Sequence, residues 1–177
     1  HVLSGTVRNS AGQPIPSVTM VFRLFPTNSQ LTTTTDTNGH YTAVATAGIY
    51  YLEYVTGTPP APLGSIAIYN STNQPRYDLT NNDLTQDFQL PTTTLTVTVK
   101  DGFGNPVSNA PVIINNNGNA RFPLNPGDAA NYYYGGPLRN GTTNTSGTAT
   151  ITTFNATYPA GQICATVTGN QICNTTP

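Results

Sequence analysis

The sequence predicts an all-β protein made of two tandem antiparallel sandwiches, and three observations carry that expectation. Residues 9–22, NSAGQPIPSVTMVF, recur at residues 101–114 as DGFGNPVSNAPVII, every match at an offset of 92 residues. Gly12 answers Gly104, Pro14 answers Pro106, and Ile15, Val18, Met20 and Phe22 answer Val107, Ala110, Val112 and Ile114. Self-similarity at domain-sized spacing marks a duplicated module. The chain also holds 32 Thr and 20 Asn in 177 residues, the former suited to pleated surfaces and the latter to turns. Finally, 16 Gly and 15 Pro interrupt the chain too often for long helices. The boundaries that follow are 1–91 and 92–177, with an insertion at 115–141 that the first half lacks.

The elements can be justified in order. HVLSGTVR alternates Leu3, Gly5 and Val7 against Val2, Ser4 and Thr6, as a half-buried strand does. Gly12 and Pro14 then make a turn. SVTMVFRLF buries Val18, Met20, Phe22 and Leu24 and leaves Arg23 outward. TTTTDTNGHYTAVAT reads as a hairpin with its tip at Asp36-Thr37-Asn38-Gly39. AGIYYLEYV places Tyr50, Leu52 and Tyr54 on one face and Ile49, Tyr51 and Glu53 on the other. A short strand near Ile66–Tyr69 and a closing strand, TQDFQL, complete the first half. The second half restarts with Leu95, Val97 and Val99 inward and Thr96, Thr98 and Lys100 outward. NTSGTATITTF repeats the hairpin, Gly147 answering Gly39.

The stretches GTVRNSAGQPIPSVTMVF, TTDTNGHYTAV, AGIYYLEYV and QDFQL, in that order, resemble the carboxypeptidase regulatory-like domain, a transthyretin-like β-sandwich. The resemblance covers residues 2–90 and implies a structural or adhesive module without an active site. LTVTVKDGFGNPVSNAPVII is similar both to that family and to bacterial immunoglobulin-like domains.

Composition excludes several functions. Charged residues are 7% of the chain, against about 25% in an average one. With a net charge of −1 and one lysine, Lys100, there is no field to attract nucleic acid or anionic lipid. No apolar run approaches the ~18 residues of a membrane span. Low charge together with Asn-x-Ser/Thr sequons at Asn70, Asn140, Asn144, Asn155 and Asn174 points to a glycosylated, extracellular protein. Cys164 and Cys173 flank a turn at Thr168-Gly169 symmetrically. Opposed residues of a non-hydrogen-bonded antiparallel pair come within disulfide reach, and a disulfide fits an oxidising exterior.

Catalytic and metal chemistry find little support. Zinc needs about four ligands, and the chain has two Cys and two His. The nitrogens of His1 and His40 suit copper, but nothing around either residue resembles the copper monooxygenases of polysaccharides, and Asp36 and Asn38, spaced like calcium ligands, are explained by a turn. The seven acids form no paired motif, and no serine elbow or Cys-His pair is present. The expectation is no enzyme, no cofactor and no metal. Tyr132, Tyr133 and Tyr134 cannot all face one core, so a tyrosine is a contact candidate for glycans or protein.

The two halves end differently. After Gly48 the first half runs 43 residues to Pro91, whereas 16 residues follow Gly161. The second sandwich is therefore expected to lack a closing strand unless residues 115–141 supply it, and an open sandwich recruits strands from other chains. The donor expected from alternation and length is the terminal segment His1, Val2, Leu3, Ser4, Gly5, Thr6 and Val7 of another copy. Low charge, Thr/Asn richness and sequons look like archaeal surface-filament proteins. The functional expectation is thus a self-polymerising, head-to-tail subunit of a surface filament or pilus, glycosylated and adhesive toward surface glycans. The competing expectation is a carbohydrate-binding or spacer module of a larger secreted enzyme.

Overall fold

The computed structural model describes residues 1–57, 67–70, 75–115, 121–125, 127, 132–135, 139–154 and 158–175, with the side chains of 67–70, 121–122, 132–135, 139–140 and 154 outside the description. Every regular element among the described residues is a strand. The first half contributes β1 (Val2–Arg8), β2 (Val18–Phe25), β3 (Gln30–Thr34), β4 (His40–Val44), β5 (Ile49–Gly57), β6 (Ala67–Asn70), β7 (Tyr77–Asp78), β8 (Leu84–Thr85) and β9 (Phe88–Gln89). The second contributes β10 (Thr92–Thr98), β11 (Pro111–Ile114), β12 (Arg121–Phe122), β13 (Tyr132–Gly135), β14 (Arg139–Thr142), β15 (Thr148–Phe154), β16 (Ile163–Val167) and β17 (Asn170–Cys173).

In the first half, β1 lies between antiparallel β4 and the parallel pair β8 and β9. The facing sheet runs β3–β2–β5–β6, with β7 also on β5. Between the sheets Leu3, Val7, Met20, Phe22, Leu52, Leu79 and Leu90 are sealed from solvent. The Phe88 ring lies 5.9 Å from Tyr77, 6.1 Å from Tyr41 and 6.3 Å from Phe22, centroid to centroid. In the second half β10 pairs with β15, and β14–β11–β16–β17 form the other sheet. Its core is smaller: Val99, Ala110, Val112, Ile114, Ala149, Ile151 and Ala165.

The repeat extends to backbone detail. Gly39 and Gly147 have φ of +73° and +71°, and a Cβ on either would stand 2.7 or 2.6 Å from the carbonyl oxygen of Val7 or Val99. Only glycine fits both the dihedral and the approach. Thr35 is buried, donates to Ile15 O and accepts from Val18 N, as Thr143 donates to Val107 O and accepts from Ala110 N. Asn9 and Asp101 close equivalent Asx turns, as do Asp36 and Asn144.

Two expectations require correction, and the insertion takes a course that its sequence does not mark. The Asp36–Gly39 tip is a turn, with Gly39 N donating to Asp36 O at 3.0 Å, but β3 and β4 do not form a hairpin. Thr35 anchors the chain inside the sandwich, so β3 pairs with β2 and β4 crosses to β1. The same holds for β14 and β15 around Thr143. In β5 a bulge between Val21 and Phe22 of the partner strand shifts the register, so Tyr50, Leu52 and Val55 are buried rather than Tyr54. Lastly, β12 and β13 of the insertion do not close the second sandwich. β13 pairs with β6, extending the first half's sheet, and only β14 serves the second half. Leu124, just beyond β12, is 1% exposed and belongs to the first half's core, and Asn125 Oδ1 accepts from Gln89 N at 2.8 Å.

Candidate functional site

The two halves differ most along the edge of their first strand. In β1 the odd residues bond to β4, and the backbone of the even residues faces outward. That outward edge is filled. Val2 N donates to Asp83 Oδ1 at 2.9 Å and Thr6 N to Asp87 Oδ1 at 2.7 Å. Ser4 O accepts from Gln86 N at 2.7 Å and Arg8 O from Leu90 N at 2.8 Å. Tyr41 adds a hydroxyl donated to Gln86 O at 2.6 Å, and burial pushes its phenol well above the usual range. Residues 83–90 therefore close the first sandwich with both backbone and side chains.

β10 carries the same alternation one repeat later. Val99 N donates to Gly147 O at 2.8 Å, as Val7 N does to Gly39 O, so Thr94, Thr96 and Thr98 aim their N–H and C=O groups away from β15. Among the described residues no strand lies on that side. Leu95 is half-buried where its counterpart Leu3 is sealed. Beside the edge is a cavity of about 250 Å³, lined by residues 97–100 on one wall and 163–165 and 172–174 on the other. Its rim carries Ile172, 58% exposed, and the ammonium-bearing Lys100. The arrangement is an apolar groove beside strand-pairing groups that no described strand uses, suited to an extended peptide.

The disulfide builds the far wall. Val167 and Asn170 close a two-residue turn in which Thr168 and Gly169 have φ of 47° and 83°. Three registers further along, Cys164 faces Cys173 across a Cα–Cα distance of 4.0 Å, and the two are joined. The bridge fastens the short edge strand β17 to β16, which keeps Ile172 over the groove.

Other singled-out residues fall as follows. His1 through Val7 lie in β1 and the residue before it, between β4 and residues 83–90, with Leu3 and Val7 fully buried. In this fold they are not a spare arm, because lending them as a donor strand would uncover the first core. His1 exchanges backbone bonds with Ala45, whereas His40 faces Thr6, five positions along, or roughly 17 Å at strand spacing. The ladder thus separates the two histidines, and a shared copper is ruled out by distance. Asn144 is exposed, its Oδ1 accepting from Ser146 N and Thr148 N. Asn174 is half-buried, its Oδ1 accepting from Ile163 N and its Nδ2 donating to Pro159 O. Asn155 and the side chains of Asn70, Asn140, Tyr132, Tyr133 and Tyr134 lie outside the described residues.

Each of the six described acids has a structural partner. Asp83 and Asp87 hold β1, and Glu53 pairs with Arg23 at 2.7 Å. Asp36, Asp78 and Asp101 cap turns and sit below the usual carboxylate range, through the His40 backbone, the Thr80 side chain and the Asn105 side chain respectively. Among the described residues no three His, Cys, Asp or Glu converge, and no helix is long and apolar enough to cross a membrane.

No family model and no curated protein matches the chain. Among solved structures it is similar to the TIE protein of Bacillus anthracis, at 16% identity and a TM-score of 0.32 over 99% of this chain and 28% of that one. It is also similar to a mutant of the shaft pilin spaA from Lactobacillus rhamnosus GG, at 13% identity and a TM-score of 0.46 over 99% and 92% of the two chains. A third is a DUF3823 family protein from Bacteroides ovatus, at 10% identity and a TM-score of 0.35 over 88% and 96%. The chain spans little more than a quarter of the first of these.

Proposed function

We propose that this chain is a structural subunit of an extracellular filament or pilus, made of two sandwich domains and assembled head-to-tail by β-strand exchange. The observation that carries the reading is the β10 edge, which among the described residues lies open beside an apolar groove, where the first half holds residues 83–90. An open edge of that kind gains ladder hydrogen bonds and buried side chains when a strand from another chain fills it. A contact between two different faces of identical subunits propagates instead of closing. The insertion strands that extend the first half's sheet tie the halves together, which suits a load-bearing rod. Glycans on exposed sequons such as Asn144 would supply the solubility that 7% charged residues do not.

Electron microscopy of the concentrated protein and of the native extracellular fraction tests this. Unbranched filaments of uniform width, with intact masses above that of the bare chain, are the expected result. Monomers under both conditions contradict the assembly, and bare-chain mass removes the glycan explanation of the low charge.

A further inference from the structure

We infer that the junction between the two halves is the template for the junction between two copies, so that the seat of the second copy is the β10 edge together with loop 101–105. This rests on the filament reading above and adds to it a docking surface, a strand polarity and a charge pattern. Within the chain, residues 83–90 run parallel to β1, close the first half, and pass through Pro91 directly into β10. Loop 9–13 braces that passage: Ser10 Oγ donates to Thr92 O, and Gln89 Nε2 reaches Asn9 O and Ser10 O at 3.4 and 3.3 Å. One end of the first half thus consists of a strand edge and an Asx-turn loop, and it holds the segment that leads into the next sandwich.

The second half presents the same end with nothing on it among the described residues. Loop 101–105 repeats the Asx turn of loop 9–13, with Asp101 accepting from Phe103 N and Asn105 N. At its tip Phe103 stands 94% exposed where the first half has Ala11. A bare phenylalanine on a braced turn beside an apolar groove is a contact surface lacking its partner. Charge points the same way. The first-half segment brings Asp87 to Thr6 N, close to Arg8, whose counterparts are Thr98 N and Lys100. A guest strand with a carboxylate at that level meets both an N–H and an ammonium group.

One residue changes the path. A Cβ on Gly5 would lie 1.9 Å from Gln86 O, so the first half's segment crosses tightly over a glycine. Val97 occupies the equivalent place. Its side chain bars that crossing, and the guest must lie straight along residues 97–100, the stretch that lines the cavity. The occupant is an extended strand of a second copy, parallel to β10, with its own first half resting on Phe103.

The test uses the full-length protein in three forms: wild type, Thr98→Pro, and Lys100→Glu. Thr98→Pro removes an N–H that faces the open edge, a position where proline is tolerated. Assembly is followed by sedimentation and by hydrogen exchange. The expected result is exchange at Thr96 and Thr98 at least about tenfold slower in assembled wild type than in monomer. Thr98→Pro should abolish assembly, and Lys100→Glu should weaken it while leaving the monomer folded. Filaments whose Thr96 and Thr98 exchange as fast as in monomer overturn this seat and leave the filament reading standing. Protection in dimers without filaments supports the seat and sinks the filament. Normal assembly by both variants overturns the seat outright.

Discussion

Two strands of one repeat, β1 and β10, have nearly the same sequence pattern and opposite fates. Both alternate apolar and polar residues, both lead into a Gly-Pro turn, and both sit under a glycine that contacts their last apolar carbonyl. Yet Leu3 is sealed and Leu95 half-buried: β1 is flanked on both sides, and β10, among the described residues, on one. The difference does not reside in the strands themselves. It comes from residues 83–90, which bring Phe88 and Leu90 to the first core and for which the described residues of the second half show no equivalent. A repeated pattern therefore fixes the strand and its turn, while the burial of that strand depends on a segment outside the repeat.

Removing the closing side chain should therefore hurt the first half most. Phe88→Ala is expected to cost about 3–5 kcal/mol, since the ring fills the space between Phe22, Tyr41 and Tyr77. Chemical denaturation would show it, and a loss below about 1 kcal/mol would mean that Phe88 does not close the sandwich. Leu124→Ala comes next, at about 2–4 kcal/mol. Although Leu124 belongs by sequence to the second half, the loss should appear in the transition reported by Tyr41 and Tyr77. A change confined to the second half would detach the insertion from the first.

Replacing Cys164 and Cys173 by Ala should cost about 2–3 kcal/mol in the second half alone, the loop closed being short. It should also loosen the Ile172 wall and lower assembly, whereas unchanged assembly would separate the disulfide from the groove. The smallest effect concerns acid. Asp36 and Asp101 have depressed pKa values, so their stabilisation is fully present above the unfolded value of about 3.9 and is lost as pH falls through the folded values. The halves exchange roles here: the first uses Asn9 and Asp36, the second Asp101 and Asn144. Asp36→Asn should flatten the acid dependence of the first half, and Asp101→Asn that of the second; melting curves between pH 2 and pH 5 in about half-unit steps would show either.

Much of this was legible in the sequence. The offset of 92 residues located both first strands, and symmetry about Thr168-Gly169 located the disulfide. Both could be read from the sequence alone. Where the insertion goes could not, because β13 pairs with β6 some 60 residues upstream, and Arg121–Phe122 and Tyr132–Gly135 carry no mark of their partner. Nor was the arch at Thr35 legible, since Asp36-Thr37-Asn38-Gly39 suits a hairpin equally well; what decides is a buried hydroxyl bonded across the sandwich. The β1 segment looked like a donor for the same reason that it is a good core strand.

Among the described residues β10 is β1 without its closing segment, and amide exchange in the monomer tests this most directly. Thr6 N is held by Asp87, whereas Thr98 N faces the open edge. Thr98 should therefore exchange roughly 100-fold or more faster than Thr6 under native conditions, while Val7 and Val99, both bonded inward, are each protected. Equal protection of Thr98 and Thr6 in dilute monomer would mean that the second half already holds a closing strand, and the account would be wrong.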